Sequence, residues 1–199
     1  MKYYLYIFLF SLITLASCSS NKEISKETFS KGEKDLSNSI SYEEKKERAL
    51  NHFLDGMNLE TKGNFADAVI EFQKALSFDS SSGIFYELSK NYLYLNRIHL
   101  ALNNVKKAVD LEPNNVEYNF LLQEIYVAAN NYDSATVILE KIIQIDSTNI
   151  DAYYRLARLY ENEKPLKAID VYNKLSRLIG DDWNVLSRKA ELYERLGYF

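Results

Sequence analysis

Cysteine, proline and glycine are all scarce in this chain, which has one cysteine, two prolines and six glycines among its 199 residues. A single cysteine cannot form a disulfide within the chain, so cysteine pairing gives no indication of the redox compartment. Few prolines and glycines favour long helices joined by short turns. The formal net charge is −4, and this excludes the strongly basic surface that is typical of nucleic-acid-binding proteins.

The chain also lacks the motifs of common enzymes. Its glycines are scattered and form no phosphate-binding loop. His52 and His99 lie far apart, with no matched cysteine or carboxylate motif nearby, so we expect no metal site and no cofactor. The acidic residues alternate with lysines, as on solvated helix surfaces. We therefore expect no catalytic residues, no small-molecule substrate and no enzymatic activity.

The first residues form an apolar leader. Lys2 supplies one positive charge, and residues 3–16 are almost wholly apolar. About 20 residues are needed to cross a bilayer, so this run is too short and instead fits a secretory signal peptide. A permanent membrane helix is disfavoured because the sequence becomes polar at Ser19.

The leader ends in the sequence Leu-Ala-Ser followed by Cys18. This ending resembles the lipobox of bacterial lipoproteins, in which an aliphatic residue and two small residues precede a cysteine. The resemblance implies that signal peptide 1–17 is removed and that Cys18 becomes lipidated on its sulfur and its amino group. The alternative is an ordinary signal peptide in which Cys18 is incidental. Ser19 in place of an aspartate favours the outer membrane over the inner membrane of the bacterial envelope.

Residues 18–44 combine this cysteine with a polar tether rich in serine, lysine, glutamate and asparagine. Its few apolar residues keep no helical or strand period, which is typical of a flexible spacer. A flexible segment of this length reaches on the order of 25–30 Å. Alternatively, Phe29 and Ile40 dock a partner.

Four segments then repeat one spacing. Each has an alanine, a large residue four positions later and a further apolar residue three positions after that, which is the spacing of one buried helical stripe. The alanines, 33 or 34 residues apart, are Ala68, Ala101, Ala135 and Ala168. The large residues are Phe72, Val105, Leu139 and Tyr172, and the third residues are Ala75, Ala108, Ile142 and Leu175.

A second helix is predicted before each of these stripes, ending in a tight turn. Gly63, Asn96 and Asn130 fall where the chain should enter the left-handed region, which glycine and asparagine tolerate best. Pro113 stops the second helix of the second unit, and Pro165 opens that of the fourth. Each unit therefore reads as helix, turn, helix.

These features resemble the tetratricopeptide repeat family, through the small residues of the first helix, the aromatic after them, the alanine of the second helix and the glycine or asparagine turn. The resemblance covers residues 45–199 and implies an all-α fold: a right-handed α-solenoid, or superhelix, of stacked antiparallel helical hairpins. The predicted hairpins span residues 49–81, 82–115, 116–149 and 150–182, followed by a partial fifth at 183–199.

Several positions depart from the family pattern. Gln123 replaces a small residue and predicts looser packing of the third hairpin. Asp55 stands where the family prefers an aliphatic residue, which suggests that the first helix is an end cap with one solvent-exposed side. Trp183 is predicted to pack between the fourth and fifth units, or else to bind a ligand. Phe199 is a core-type residue at the end of the sequence, which predicts a fragment of a longer chain. Alternatively, the helix over 182–196 is itself a polar cap.

In this family the first helices line a concave binding surface. An aromatic ladder occupies one position of each first helix: Phe53, Tyr86, Phe120 and Tyr154. One turn later on the same face lie Met57, Lys90, Glu124 and Arg158. We predict that these eight residues form a groove for a protein or peptide partner, or else that the ladder is only half-buried core. Aromatics replace the cations of the family's clamp for acidic carboxyl termini, so an extended apolar segment fits better.

Three functions remain open at this point. The leading one is a lipid-anchored scaffold or adaptor of the bacterial envelope that binds other proteins. A second is a substrate-recruiting arm of an enzyme whose catalytic domain lies beyond residue 199. A third is a structural protein that self-associates through its partial fifth repeat.

Overall fold

The computed structural model describes residues 40–198, which form helices and contain no strand. The predicted signal peptide 1–17, Cys18, Phe29 and Phe199 lie outside these residues. The helices, numbered in chain order, are α1 (Tyr42–Thr61), α2 (Phe65–Phe78), α3 (Ser82–Tyr94), α4 (Ile98–Leu111), α5 (Val116–Ala128), α6 (Tyr132–Ile145), α7 (Ile150–Tyr160), α8 (Pro165–Ile179) and α9 (Trp183–Arg195).

The first described helix begins earlier than expected. Of the described residues, those up to Glu47 fall in one unit and those from Arg48 onward in another. In the first unit, the Ser41 hydroxyl accepts a hydrogen bond from the backbone N–H of Glu44 at 3.1 Å. Serine is a preferred residue for satisfying the free N–H groups at a helix start. Residues 42–44, which we assigned to the tether, are therefore helical.

The turns within the first three hairpins are those predicted. Gly63, Asn96 and Asn130 adopt φ angles of 78°, 55° and 56°. In each turn the next residue donates its backbone N–H to a carbonyl five residues earlier, as in Arg97 to Tyr92 at 2.8 Å. This bond satisfies a carbonyl that the helix end leaves free. The fourth hairpin turns without a left-handed residue, and Pro165 opens α8 as expected.

The predicted stripe of the second helices forms the core of the array. Its alanines and large residues are fully buried, with exposed fractions of 0–1%. We call the four large residues, Phe72, Val105, Leu139 and Tyr172, the core stripe. From α2 to α9 each helix packs against the next, and α3 also contacts α5. In the first hairpin the Phe53 and Phe72 rings lie 5.6 Å apart. The predicted all-α solenoid of helical hairpins is thus confirmed.

Trp183 does not pack between the fourth and fifth units, so that prediction was wrong. It is the first residue of α9 and is 79% exposed, while Val185 and Leu192 are the residues that α9 buries. Ala190, the small residue of the predicted fifth unit, is also exposed. In the repeat pattern, the position of Ala190 belongs to a surface that the second helix of the hairpin would cover. Within the described residues no helix follows α9, so this surface is exposed.

None of the helices within residues 40–198 is both long enough and apolar enough to cross a membrane.

Candidate functional site

The aromatic ladder is half-buried along its whole length. Its residues lie on α1, α3, α5 and α7, the first helices of the four hairpins. The partial burial arises because each helix is amphipathic and its ladder residue lies at the edge of the buried face. Each ladder side chain therefore contacts the core on one side and solvent on the other.

A cavity of about 470 Å³ opens between the second and third hairpins. It is lined by Tyr86, Lys90, Leu93, Tyr94, Val116, Glu117, Phe120, Leu121, Glu124 and Arg155, which we call the groove pocket. Four of the eight predicted groove residues, Tyr86, Lys90, Phe120 and Glu124, thus line one cavity. Its volume falls within the range of about 300–1,000 Å³ that is typical of ligand sites.

One wall of the groove pocket is held by Tyr86. Its hydroxyl donates a hydrogen bond to Glu117 Oε1 at 2.8 Å, and its ring stacks on Tyr118 with centroids 5.0 Å apart. Burial and the hydrogen bond to the Glu117 carboxylate raise the pKa of Tyr86. The hydroxyl therefore stays protonated at neutral pH and ties the second hairpin to the third.

The opposite wall is Phe120, which lies beneath Arg155 of the fourth hairpin. The guanidinium carbon is 5.0 Å from the ring centroid, within the range of a cation–π interaction. Asp151 and Gln123 orient this guanidinium by accepting hydrogen bonds at 2.9 and 3.3 Å. Gln123 is 4% exposed, so the residue that we read as a weak packing position also supports the site.

Lys90 lies within a carboxylate pair. Its Nζ is 2.9 Å from Glu60 Oε1 and 2.7 Å from Glu87 Oε2, and Asn91 also donates to Glu60 at 2.7 Å. Partial burial acts to lower the pKa of Lys90, but hydrogen bonds to both carboxylates outweigh it and raise the pKa. The charge of Lys90 is therefore neutralised within the array. Opposite charges on the groove face of successive repeats were the sequence signal for this contact.

The other four predicted groove residues do not line the groove pocket. Phe53 and Met57 pack against the core of the first hairpin. The hydroxyl of Tyr154 donates to Asp182 at 3.1 Å, and burial together with this bond raises the Tyr154 pKa. Arg158 is exposed. Four of the eight residues thus line the groove pocket, two lie on the first hairpin and two on the fourth.

A second cavity, of about 380 Å³, lies beside α6, α7 and α8. The Tyr160 hydroxyl in its wall donates to Glu140 at 3.0 Å, and Lys167 lies 5.6 Å from the Tyr160 ring centroid. Sequence reasoning missed this cavity, because its lining comes from three helices that share no single stripe.

A histidine and two carboxylates meet in the first hairpin. His52 Nδ1 is 2.7 Å from Glu71 Oε2, and ligand atoms of His52, Asp55 and Glu71 all lie within 4.8 Å of one another. No carboxylate motif accompanies His52 in the sequence, and it is the packing of α2 that brings Glu71 to it across the hairpin. Hydrogen bonds from Lys74 and then His52 lower the pKa of Glu71. Glu71 is thus paired with both His52 and Lys74, at 2.7 Å each.

Comparison with known proteins supports the repeat fold. Two family profiles, each described as a tetratricopeptide repeat, match residues 82–115 and 126–167. No curated protein sequence matches the chain.

Solved structures with the same fold include the MamA protein, with 24% identity, a TM-score of 0.68 and coverage of 76% of this chain and 84% of that one. YrrB, described as a TPR protein with an unusual peptide-binding site, has 17% identity, a TM-score of 0.64 and coverage of 78% and 81%. A thermophilic TPR protein of Thermus thermophilus has 22% identity, a TM-score of 0.53 and coverage of 75% and 83%. The chain contains tetratricopeptide repeats and has the solenoid fold of tetratricopeptide repeat proteins.

Proposed function

We propose that this chain is a lipid-anchored adaptor of the bacterial envelope that binds an extended segment of a partner protein in the groove pocket. The observation that carries the proposal is the groove pocket itself, where side chains from three successive hairpins meet around an open cavity. Aromatic side chains provide a large contact area at low entropic cost, so they suit a binding surface.

The repeat content supports a binding role. Tetratricopeptide repeats generally serve as interaction scaffolds without catalysis, and YrrB is described by its peptide-binding site. Pairing of Tyr86 with Glu117 and of Arg155 with Phe120 fixes the pocket walls before a partner arrives. A wall that is already ordered loses little conformational entropy on binding.

The anchor is proposed from the sequence around Cys18. A lipid on Cys18 and a tether of about 25 residues would hold the array on the order of 25–30 Å from the membrane surface. Acylation at two sites gives stable anchoring, whereas one chain is marginal. Ser19 favours the outer membrane. In cells fed radiolabelled palmitate, the wild-type chain should become labelled and Cys18→Ser should not; an equally labelled variant would refute the anchor.

The groove is tested by site-specific photo-crosslinking in cells. A photoreactive amino acid replaces Tyr94, a 57% exposed aromatic residue of the groove pocket, or Val137, which is 61% exposed on α6 and does not line it. We expect a discrete crosslinked partner from position 94 and none from position 137. Equal products from both positions, or products only from position 137, would contradict the proposal.

A further inference from the structure

The two basic residues of the groove pocket are already neutralised. Lys90 is paired with Glu60 and Glu87, at 2.9 and 2.7 Å. Arg155 is paired with Asp151 at 2.9 Å and lies over the ring of Phe120. Neither cation is therefore available to an acidic ligand without the loss of a contact within the array.

The remaining charged residues of the pocket, Glu117 and Glu124, are acidic and exposed. Glu117 accepts the Tyr86 hydroxyl, and its charge is not balanced by that neutral donor. Glu124 has no ion pair or side-chain hydrogen bond with any other described residue. Burial raises the pKa of Glu87. Even with Glu87 protonated, the carboxylates in and beside the pocket outnumber its two cations, Lys90 and Arg155; these carboxylates are Glu60, Glu117, Glu124 and Asp151. The pocket thus attracts positive charge.

The interior of the pocket is apolar. Leu121 is buried at its base, and Leu93 and Phe120 are half-buried beside it. A cavity of about 470 Å³ admits a large side chain together with part of its backbone. An aromatic or large aliphatic side chain would cover these three residues and gain the free energy of apolar burial.

We propose that the segment bound in the groove pocket carries an aromatic or large aliphatic residue flanked, within two positions, by lysine or arginine. The apolar side chain contacts Leu93 and Phe120, and the cation contacts Glu117 or Glu124. This inference rests on the proposed function, since it specifies the partner of the same groove. An exposed ion pair stabilises a complex by up to about fivefold in affinity and weakens as salt is added.

The test is a selection of random 12-residue peptides displayed on phage against the full chain, immobilised in detergent. Parallel selections use Glu124→Lys and the matched control Glu163→Lys. Both variants change the net charge equally, but Glu163 is an exposed residue in the turn before α8 and does not line the pocket. Circular dichroism checks that both variants keep the wild-type helix content.

We expect peptides selected on the wild type and on Glu163→Lys to be enriched in lysine or arginine within two positions of an aromatic or large aliphatic residue. That enrichment should disappear on Glu124→Lys. Enrichment of apolar residues without flanking cations would overturn this inference but leave the groove function standing. Peptides whose enrichment is unaffected by Glu124→Lys, or acidic peptides on the wild type, would also overturn it. Failure to select any peptide would count against both proposals.

Discussion

The core stripe and the aromatic ladder come from the same repeat register but have different surroundings. Core-stripe residues are 0–1% exposed, and Tyr172 alone among them makes a polar side-chain contact, donating its hydroxyl to Glu161 of its own hairpin. Ladder residues are half-buried. Tyr86 and Phe120 contact a charged group of the next hairpin, and Tyr154 contacts Asp182 at the start of α9. Periodicity alone cannot separate the two, because both follow a helical spacing. The difference indicates that the first set maintains the fold and that the second is available to a partner.

The largest expected effect comes from truncating one aromatic side chain of the core stripe, and one of the aromatic ladder, to alanine. Phe72→Ala removes a fully buried ring and should lower the free energy of unfolding by about 3–5 kcal/mol. Phe120→Ala removes a half-buried ring and one cation–π contact, and should cost about 1–2 kcal/mol. Urea titrations followed by circular dichroism measure both. Equal losses would show that the ladder is core.

A second substitution tests how tightly the core stripe is packed. A Cβ atom at Gly56 would lie 2.7 Å from Phe72 Cε1. Gly56→Ala gains about 1 kcal/mol of helix propensity but forces the buried ring to move. We expect a net loss of about 1–2 kcal/mol in the free energy of unfolding. Ala190→Gly on exposed α9 is the control, and it should show only the propensity loss of about 1 kcal/mol.

The turns keep both sets in register, so their backbone strain is the next test. Asn96 has a φ of 55°, and its substitution by alanine should cost about 1 kcal/mol. Asn96→Gly should stay within a few tenths of a kcal/mol, because glycine enters this region freely. Thermal unfolding of the two variants separates backbone strain from loss of the side chain. An equal loss in both would assign the effect to asparagine contacts.

The smallest expected effect concerns the ladder alone. Tyr86→Phe removes the hydroxyl that donates to Glu117 and should lower the free energy of unfolding by about 0.5–1.5 kcal/mol. Because the raised pKa of Tyr86 keeps the hydroxyl protonated, this loss should be constant between pH 6 and about pH 9. Denaturation at several pH values checks this. Above about pH 10 the loss should shrink, because the tyrosine of the unfolded chain ionises while the folded hydroxyl stays protonated. A loss that varies between pH 6 and about pH 9 would contradict the assigned hydrogen bond.

Sequence periodicity was sufficient for the fold and for part of the site. The alanine and core-stripe positions, together with Gly63, Asn96 and Asn130, specify the hairpins because each satisfies a local requirement of burial or φ angle. It was insufficient for contacts between helices. The His52–Glu71 pair depends on how α1 and α2 cross within the first hairpin, and the exposure of Trp183 depends on whether a neighbouring helix is present.

The groove pocket was only partly predictable for the same reason. Its ladder residues follow from the repeat register, but Arg155 and Tyr94 enter it from other helical faces. The neutralisation of the Lys90 charge depends on a carboxylate 30 residues earlier in the chain, Glu60. Such pairs require the stacking geometry of successive hairpins as well as their register.

The most direct test of the binding role combines the ladder substitution with crosslinking from position 94. The full chain carries the photoreactive residue at position 94, with or without Phe120→Ala, and the crosslink yield is compared with the folded fraction measured by circular dichroism. We predict that Phe120→Ala abolishes the crosslinked partner while most of the helix content remains. An undiminished crosslink in the folded variant would contradict the account, because the ladder would then serve packing alone.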